Sequence, residues 1–208
     1  MRQTKPYFNI VTPKDIGQIL KTERKKFFRR LHEILEVKKI GSIRLEAANL
    51  RRNEAKEIID LIKQISGNKI PILLENNIDL VVQLKLDGVH LTDGQKFVSA
   101  AKALLSQDQV IGAFCGSSKH SGFVASEHGA NYISFRADYN SIQNNNGIGD
   151  LFKWWEEFIE IPIMGECSDN CLISKNIWNY CDIISLKNRI WNSEISVDSI
   201  FKPFDPDC

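Results

Sequence analysis

Ile70-Pro71-Ile72-Leu73-Leu74-Glu75-Asn76-Asn77, followed by Asp87-Gly88-Val89-His90-Leu91-Thr92-Asp93-Gly94, is the stretch that decides the fold. A short apolar run ends in polar residues, a short helical segment spans Ile78 to Leu84, and a second apolar run again ends in polar residues. That is one β/α unit, with its polar groups gathered at the strand ends. Units of this kind built into a barrel carry their chemistry at the C-terminal ends of the strands.

The same alternation extends in both directions. Upstream, Tyr7 to Val11 reads as a first strand and Ser42 to Leu45 as a second. Thr12 is the expected N-cap of a helix running to about Val37, with Pro13 at its first position. Between Arg51 and Ile65, the residues Ala55, Ile58, Ile59, Ile62 and Ile65 recur at helical spacing. Downstream, strands are expected at Val110 to Ala113, Tyr132 to Phe135, Ile161 to Met164 and Ile183 to Leu186. Helices are expected over Lys96 to Leu105, around Gly122 to Glu127, from Asp150 to Phe158, over Cys171 to Tyr180 and over Ile195 to Phe201. The polar, aperiodic segment Arg136 to Gly149 reads as a mobile loop. Strands alternating with helices predict an α/β protein, a single (β/α)8 TIM barrel with residues 1–208 as one domain.

Composition narrows the function classes. A formal net charge of +1 gives no overall pull toward nucleic acid or an anionic membrane. No apolar run approaches the ~20 residues of a membrane span. The first residues lack the apolar segment of a secretory signal, so a cytoplasmic protein is expected. Five cysteines at irregular spacing make no disulfide framework, and Cys167 with Cys171 lacks the further ligands of a metal site. Self-association is left open.

The strand ends line the expected pocket. Arg44, Glu46, Asn76, Arg136, Gly165, Ser168 and Ser185 are the candidate ligand-binding residues. Arginine suits bidentate recognition of phosphate or carboxylate, and small residues after the last two strands let backbone N–H groups approach an anion. Glu166 works against that cradle, because its charge repels phosphate. His90, inside a strand pattern, reads as a packed or hydrogen-bonded barrel histidine rather than a base. His120 reads as exposed. The run Arg24-Lys25-Lys26-Phe27-Phe28-Arg29-Arg30 reads as the basic face of an outer helix with a buried Phe pair, and Trp154, Trp155, Trp178 and Trp191 as packing residues.

Taken in order, these segments resemble a known family. Pro71 to Leu80, then Leu86-Asp87-Gly88-Val89-His90-Leu91, Val110-Ile111-Gly112, Gly129-Ala130-Asn131-Tyr132 and Glu160-Ile161-Pro162-Ile163 are similar to thiamine phosphate synthase and its thiazole tautomerase relatives. Trp154-Trp155 paired with Ile161-Pro162 is similar to a divergent branch under that name. The resemblance implies a magnesium-dependent condensation of phosphorylated small molecules in thiamine biosynthesis. Hydroxymethylpyrimidine diphosphate loses pyrophosphate, and thiazole phosphate captures the pyrimidine cation. For the metal, this chain offers Glu75 and Asp93. The family's metal-binding Asp falls on Asn76, its Q-x-R-x-K on Arg44, Glu46 and Ala48, its serine after the fifth strand on Phe114, and its Gly-Gly pair on Gly165-Glu166. These substitutions keep two alternatives in view. One is a barrel that binds a phosphorylated ligand without turnover. The other is an isomerase of a phosphorylated metabolite using Glu46 or Glu75 as base.

Overall fold

A computed structural model describes residues 6–37, 39–46, 50–137, 148–166 and 175–204. Its strands are β1 (Tyr7–Val11), β2 (Ile40–Leu45), β3 (Ile72–Glu75), β4 (Gly88–Leu91), β5 (Val110–Phe114), β6 (Tyr132–Arg136), β7 (Ile163–Glu166) and β8 (Ile183–Leu186). All are parallel, each pairs with the next, and β8 pairs with β1 to close the barrel. Around it run α1 (Ile16–Thr22), α2 (Arg24–Leu35), α3 (Arg52–Ser66), α4 (Ile78–Leu84), α5 (Gly94–Leu104), α6 (Lys119–Glu127), α7 (Ile148–Phe158), α8 (Lys175–Trp178) and α9 (Val197–Phe201).

The helices form where apolar spacing and end chemistry agree. In α3, Ala55, Ile58, Ile59 and Ile62 are buried. The Glu54 carboxylate accepts the Arg51 N–H at 3.1 Å, and Gly67 ends the helix in the left-handed conformation that glycine adopts without strain. The long first helix expected from the sequence is two helices, broken at Glu23, whose backbone leaves the helical region. Thr12 is not the N-cap; Asp15 takes that place. The Thr12 hydroxyl instead accepts the Glu46 N–H at 3.1 Å, because the barrel wall buries it beside the end of β2. Of the segment expected as a loop, Arg136 ends β6 and Ile148 opens α7, while residues 138–147 lie outside the described residues. So do Cys167, Ser168 and the start of the helix expected from Cys171.

The main core lies between strands and helices. A separate apolar plug of Leu73, Tyr132 and Met164, with Val110 and Ile183 against it, fills the barrel interior. Gly112 makes room for it: a Cβ there would stand 2.0 Å from Tyr132 Cζ. Above the plug the interior turns polar, and that layer builds the site.

The basic run divides by face. Arg24, Lys25, Lys26 and Arg29 are exposed, whereas Phe27 and Arg30 are buried. Arg30 donates to the carbonyls of Ile190, Asn192 and Ile195 at 2.6, 3.1 and 2.9 Å, clasping the segment after β8 to α2.

Candidate functional site

Strand register sets the polar layer. Glu75 pairs with His90, Arg136 with Glu166, Glu166 with Ser185 and Ser185 with Asn9. Arg44 reaches into this layer from β2. Its Nη1 and Nη2 donate to the two carboxylate oxygens of Glu166, each at 3.0 Å, the bidentate fork geometry that guanidinium favours. Nε stands 3.7 Å from Glu75 Oε2. His90, with no exposed surface, has Nδ1 2.8 Å from the Tyr132 hydroxyl and Nε2 in an off-axis contact 3.0 Å from Glu166 Oε1. Since an ionised carboxylate only accepts, the ring proton belongs on Nε2 and Tyr132 donates to Nδ1. Glu46 is ion-paired with Lys187, just past β8.

The electrostatics follow from this packing. Burial alone would raise the Glu166 carboxyl, but Arg44 and His90 overcome it and hold the group well below the usual carboxylate range. Burial disfavours the Arg44 charge too, yet Glu166 more than restores it, so the guanidinium stays protonated. His90 is pushed below its ordinary value by burial and then by the Arg44 charge, with Glu166 opposing. Glu75 is raised, chiefly by burial and against the pull of Arg44. Burial, with help from Asp93, pushes the Cys115 thiol up to about 12, which leaves it inert at neutral pH.

A pH dependence follows, with its sign. A depressed carboxyl contributes stability above its unfolded value and loses it as pH falls toward its folded value. Glu166, facing Arg44, His90 and Glu75, therefore makes the protein lose stability steeply once pH drops below about 4.5, the value of the free group. His90 adds an earlier loss below about 6.5, because the unfolded chain takes up that proton more readily. Glu75 offsets part of it in between, since its folded form holds a proton more tightly. Urea denaturation from pH 7 to 3 reads the sum. Glu166→Gln should flatten the lowest limb.

The candidate residues divide as follows. Arg44, Glu46 and Glu75 converge within the barrel mouth, joined by Lys187. Ser185 is buried, with its hydroxyl 3.5 Å from Asn9 Oδ1, so it belongs to the interior layer. Asn76 takes a positive φ, and its amide exchanges hydrogen bonds with Thr92 (Nδ2 to Oγ1 2.8 Å, Thr92 N–H to Oδ1 2.8 Å), stapling the ends of β3 and β4. Arg136 is at the exposed rim, with its guanidinium 5.9 Å from the centre of the Phe114 ring. Gly165 is buried within β7. Asp93 is exposed at the start of α5 and caps nothing with its side chain. Tyr132 is a site residue that sequence reasoning missed, whereas Lys187 lies in the stretch Ser185 to Asn188 that the sequence places at the rim of the pocket.

Among the described residues, no three His, Cys, Asp or Glu side chains converge to cage a metal. Magnesium is usually held by one or two carboxylates together with substrate phosphates. Glu75, half-buried at the end of β3, and Asp93, exposed at the start of α5, are the carboxylates that could hold such an ion.

A closed parallel barrel with charged side chains converging at the C-terminal ends of its strands defines a (β/α)8 protein, the architecture that carries its chemistry at that end. The chain belongs to the thiamine monophosphate synthase family, whose profile matches residues 10–165. It is 26% identical over 198 residues to a thiamine-phosphate synthase of Erythrobacter litoralis, covering 89% of this chain and 88% of that one. It is 31% identical over 150 residues to the thiamine-phosphate synthase of Nitrosospira multiformis, covering 69% and 62%. A thiamine phosphate pyrophosphorylase from Pyrococcus furiosus shares the fold, with TM-score 0.74 at 18% identity and 96% of each chain covered. No helix among the described residues is long and apolar enough to cross a membrane.

Proposed function

We propose that this chain is a cytoplasmic transferase of thiamine biosynthesis, joining hydroxymethylpyrimidine diphosphate to thiazole phosphate at the barrel mouth with release of pyrophosphate. The observation that carries the reading is the family match across residues 10–165, which runs from the end of β1 into β7 and hence across most of the mouth. Magnesium, held by Glu75 and Asp93, would supply charge neutralisation for the departing diphosphate. The chain's own residues then orient the ligands. The Arg44–Glu166 pair fixes the floor of the mouth, Lys187 and Glu46 form one wall, and Arg136 lies at the exposed rim.

The test is pyrophosphate release from the two substrates with magnesium, with the product identified by mass. Turnover above the protein-free control supports the reading, and its absence with folded protein removes it. Glu75→Gln should lower the rate by about 10²-fold or more, the usual loss when one group that stabilises developing charge is removed. An unchanged rate would show that Glu75 holds no cation.

One observation favours a second reading, in which the barrel binds thiazole phosphate without turnover. Among the described residues, the two inner cations are already paired, Arg44 with Glu166 and Lys187 with Glu46. Measurable affinity for thiazole phosphate with no pyrophosphate released would select it.

A further inference from the structure

Arg44 is a buried arginine near the C-terminal ends of the strands whose fork is already filled by the chain itself. Only 3% of its side chain is exposed, and both Nη atoms are spent on Glu166. A carboxylate and one edge of a phosphate present the same two-oxygen face to guanidinium, so the two compete for one site. Glu166 is also held from several sides. His90 Nε2 stands 3.0 Å from its Oε1, and its carbonyl accepts the Ala137 N–H at 2.7 Å. Its backbone is locked in register between Arg136 and Ser185. A ligand anion would have to displace a carboxylate that barrel closure keeps in place.

We infer that Glu166 is the chain's own anion at Arg44, a specificity-determining residue that closes the inner end of the mouth to phosphate and reserves it for the neutral or cationic end of a ligand. The remaining charges agree. Glu166 and Glu46 are paired with Arg44 and Lys187, and Glu75 adds a third carboxyl 3.7 Å from Arg44, so among the described residues carboxyls outnumber cations there. Glu46 Oε2 is buried without a hydrogen-bond partner, an acceptor ready for an N–H on that inner end. Phosphate groups are thereby directed outward, away from Arg44 and toward the exposed rim. This deepens the proposed function and rests on it for the choice of face, but its test needs no turnover, so the two fail separately.

The experiment is calorimetric titration of inorganic pyrophosphate, without magnesium, into the wild type, Glu166→Ala, Glu166→Gln and the double variant Glu166→Ala/Arg44→Met. Glu166→Ala should bind pyrophosphate at least ~10-fold more tightly than the wild type, as expected when a charged partner site is vacated. The gain should vanish in the double variant. A folded Glu166→Ala that binds no more tightly than the wild type overturns the inference, as does a gain that survives loss of Arg44. Should Glu166→Ala fail to fold, Glu166→Gln decides. It keeps the shape and removes the charge, so a severalfold gain is expected and no gain overturns the inference.

Discussion

Arg44→Met lowers the unfolding free energy by about 3–5 kcal/mol, the cost of stripping one partner from a buried ion pair. Glu166 loses both of its 3.0 Å bonds and keeps a charge in a wall that admits little water. Glu75 loses the cation that opposes its desolvation. Against an ordinary total of about 5–15 kcal/mol, the variant sits near its unfolding midpoint in modest denaturant. Urea titration at pH 7 measures the loss. The double variant Arg44→Met/Glu166→Leu should recover most of it, because replacing both members of a buried pair with apolar groups is often neutral. Failure of that recovery would locate the cost in packing rather than in the stranded charge.

Trp155→Ala should cost about as much, roughly 3–5 kcal/mol, by a different route. Trp155 has no exposed surface and stands edge-on to Phe135 at 5.1 Å, with Phe123 at 5.8 Å. Its Nε1 donates to the Ile161 carbonyl at 3.1 Å, tying α7 to the approach of β7. Gly122 of α6 is shaped around it: a Cβ there would meet the indole at 2.6 Å. Truncation therefore opens a cavity at the junction of two helices and a strand and strands a carbonyl. Trp155→Phe keeps much of the packing and loses the hydrogen bond, so its cost should be about 1–2 kcal/mol. Thermal melts of the two variants side by side separate the contributions.

The barrel was legible because its signals are local. Each strand is a short β-rich run stopped by polar or glycine residues, and each major helix carries its own apolar stripe, as α3 does with Ala55, Ile58, Ile59 and Ile62. His90 was legible as a hydrogen-bonded barrel residue, since it follows Val89 inside a strand pattern and carries no neighbouring partner of a catalytic pair. What stayed hidden depends on closure. Arg44 and Glu166 lie 122 positions apart, and nothing short of a folded barrel says that one answers the other. From the sequence Glu166 is only a charge that repels phosphate, whereas its partner across the barrel makes it a structural anion. Arg30 was hidden in a basic run for the same reason, its carbonyl partners lying 160 and more positions away. Thr12 misled because a threonine before Pro13 satisfies a local capping rule that the end of β2 overrides.

The closure of β1 against β8 has a consequence for the newborn chain. Asn9 and Ser185 meet across that seam although 176 positions separate them. At a synthesis rate of about 5–20 residues per second, β1 waits roughly 10–35 s on the ribosome before its second neighbour exists. Throughout that interval the growing sheet shows an open edge, the kind of surface on which other chains aggregate. Its yield in a cell should therefore follow translation speed and chaperone supply more closely than the stability of the finished barrel.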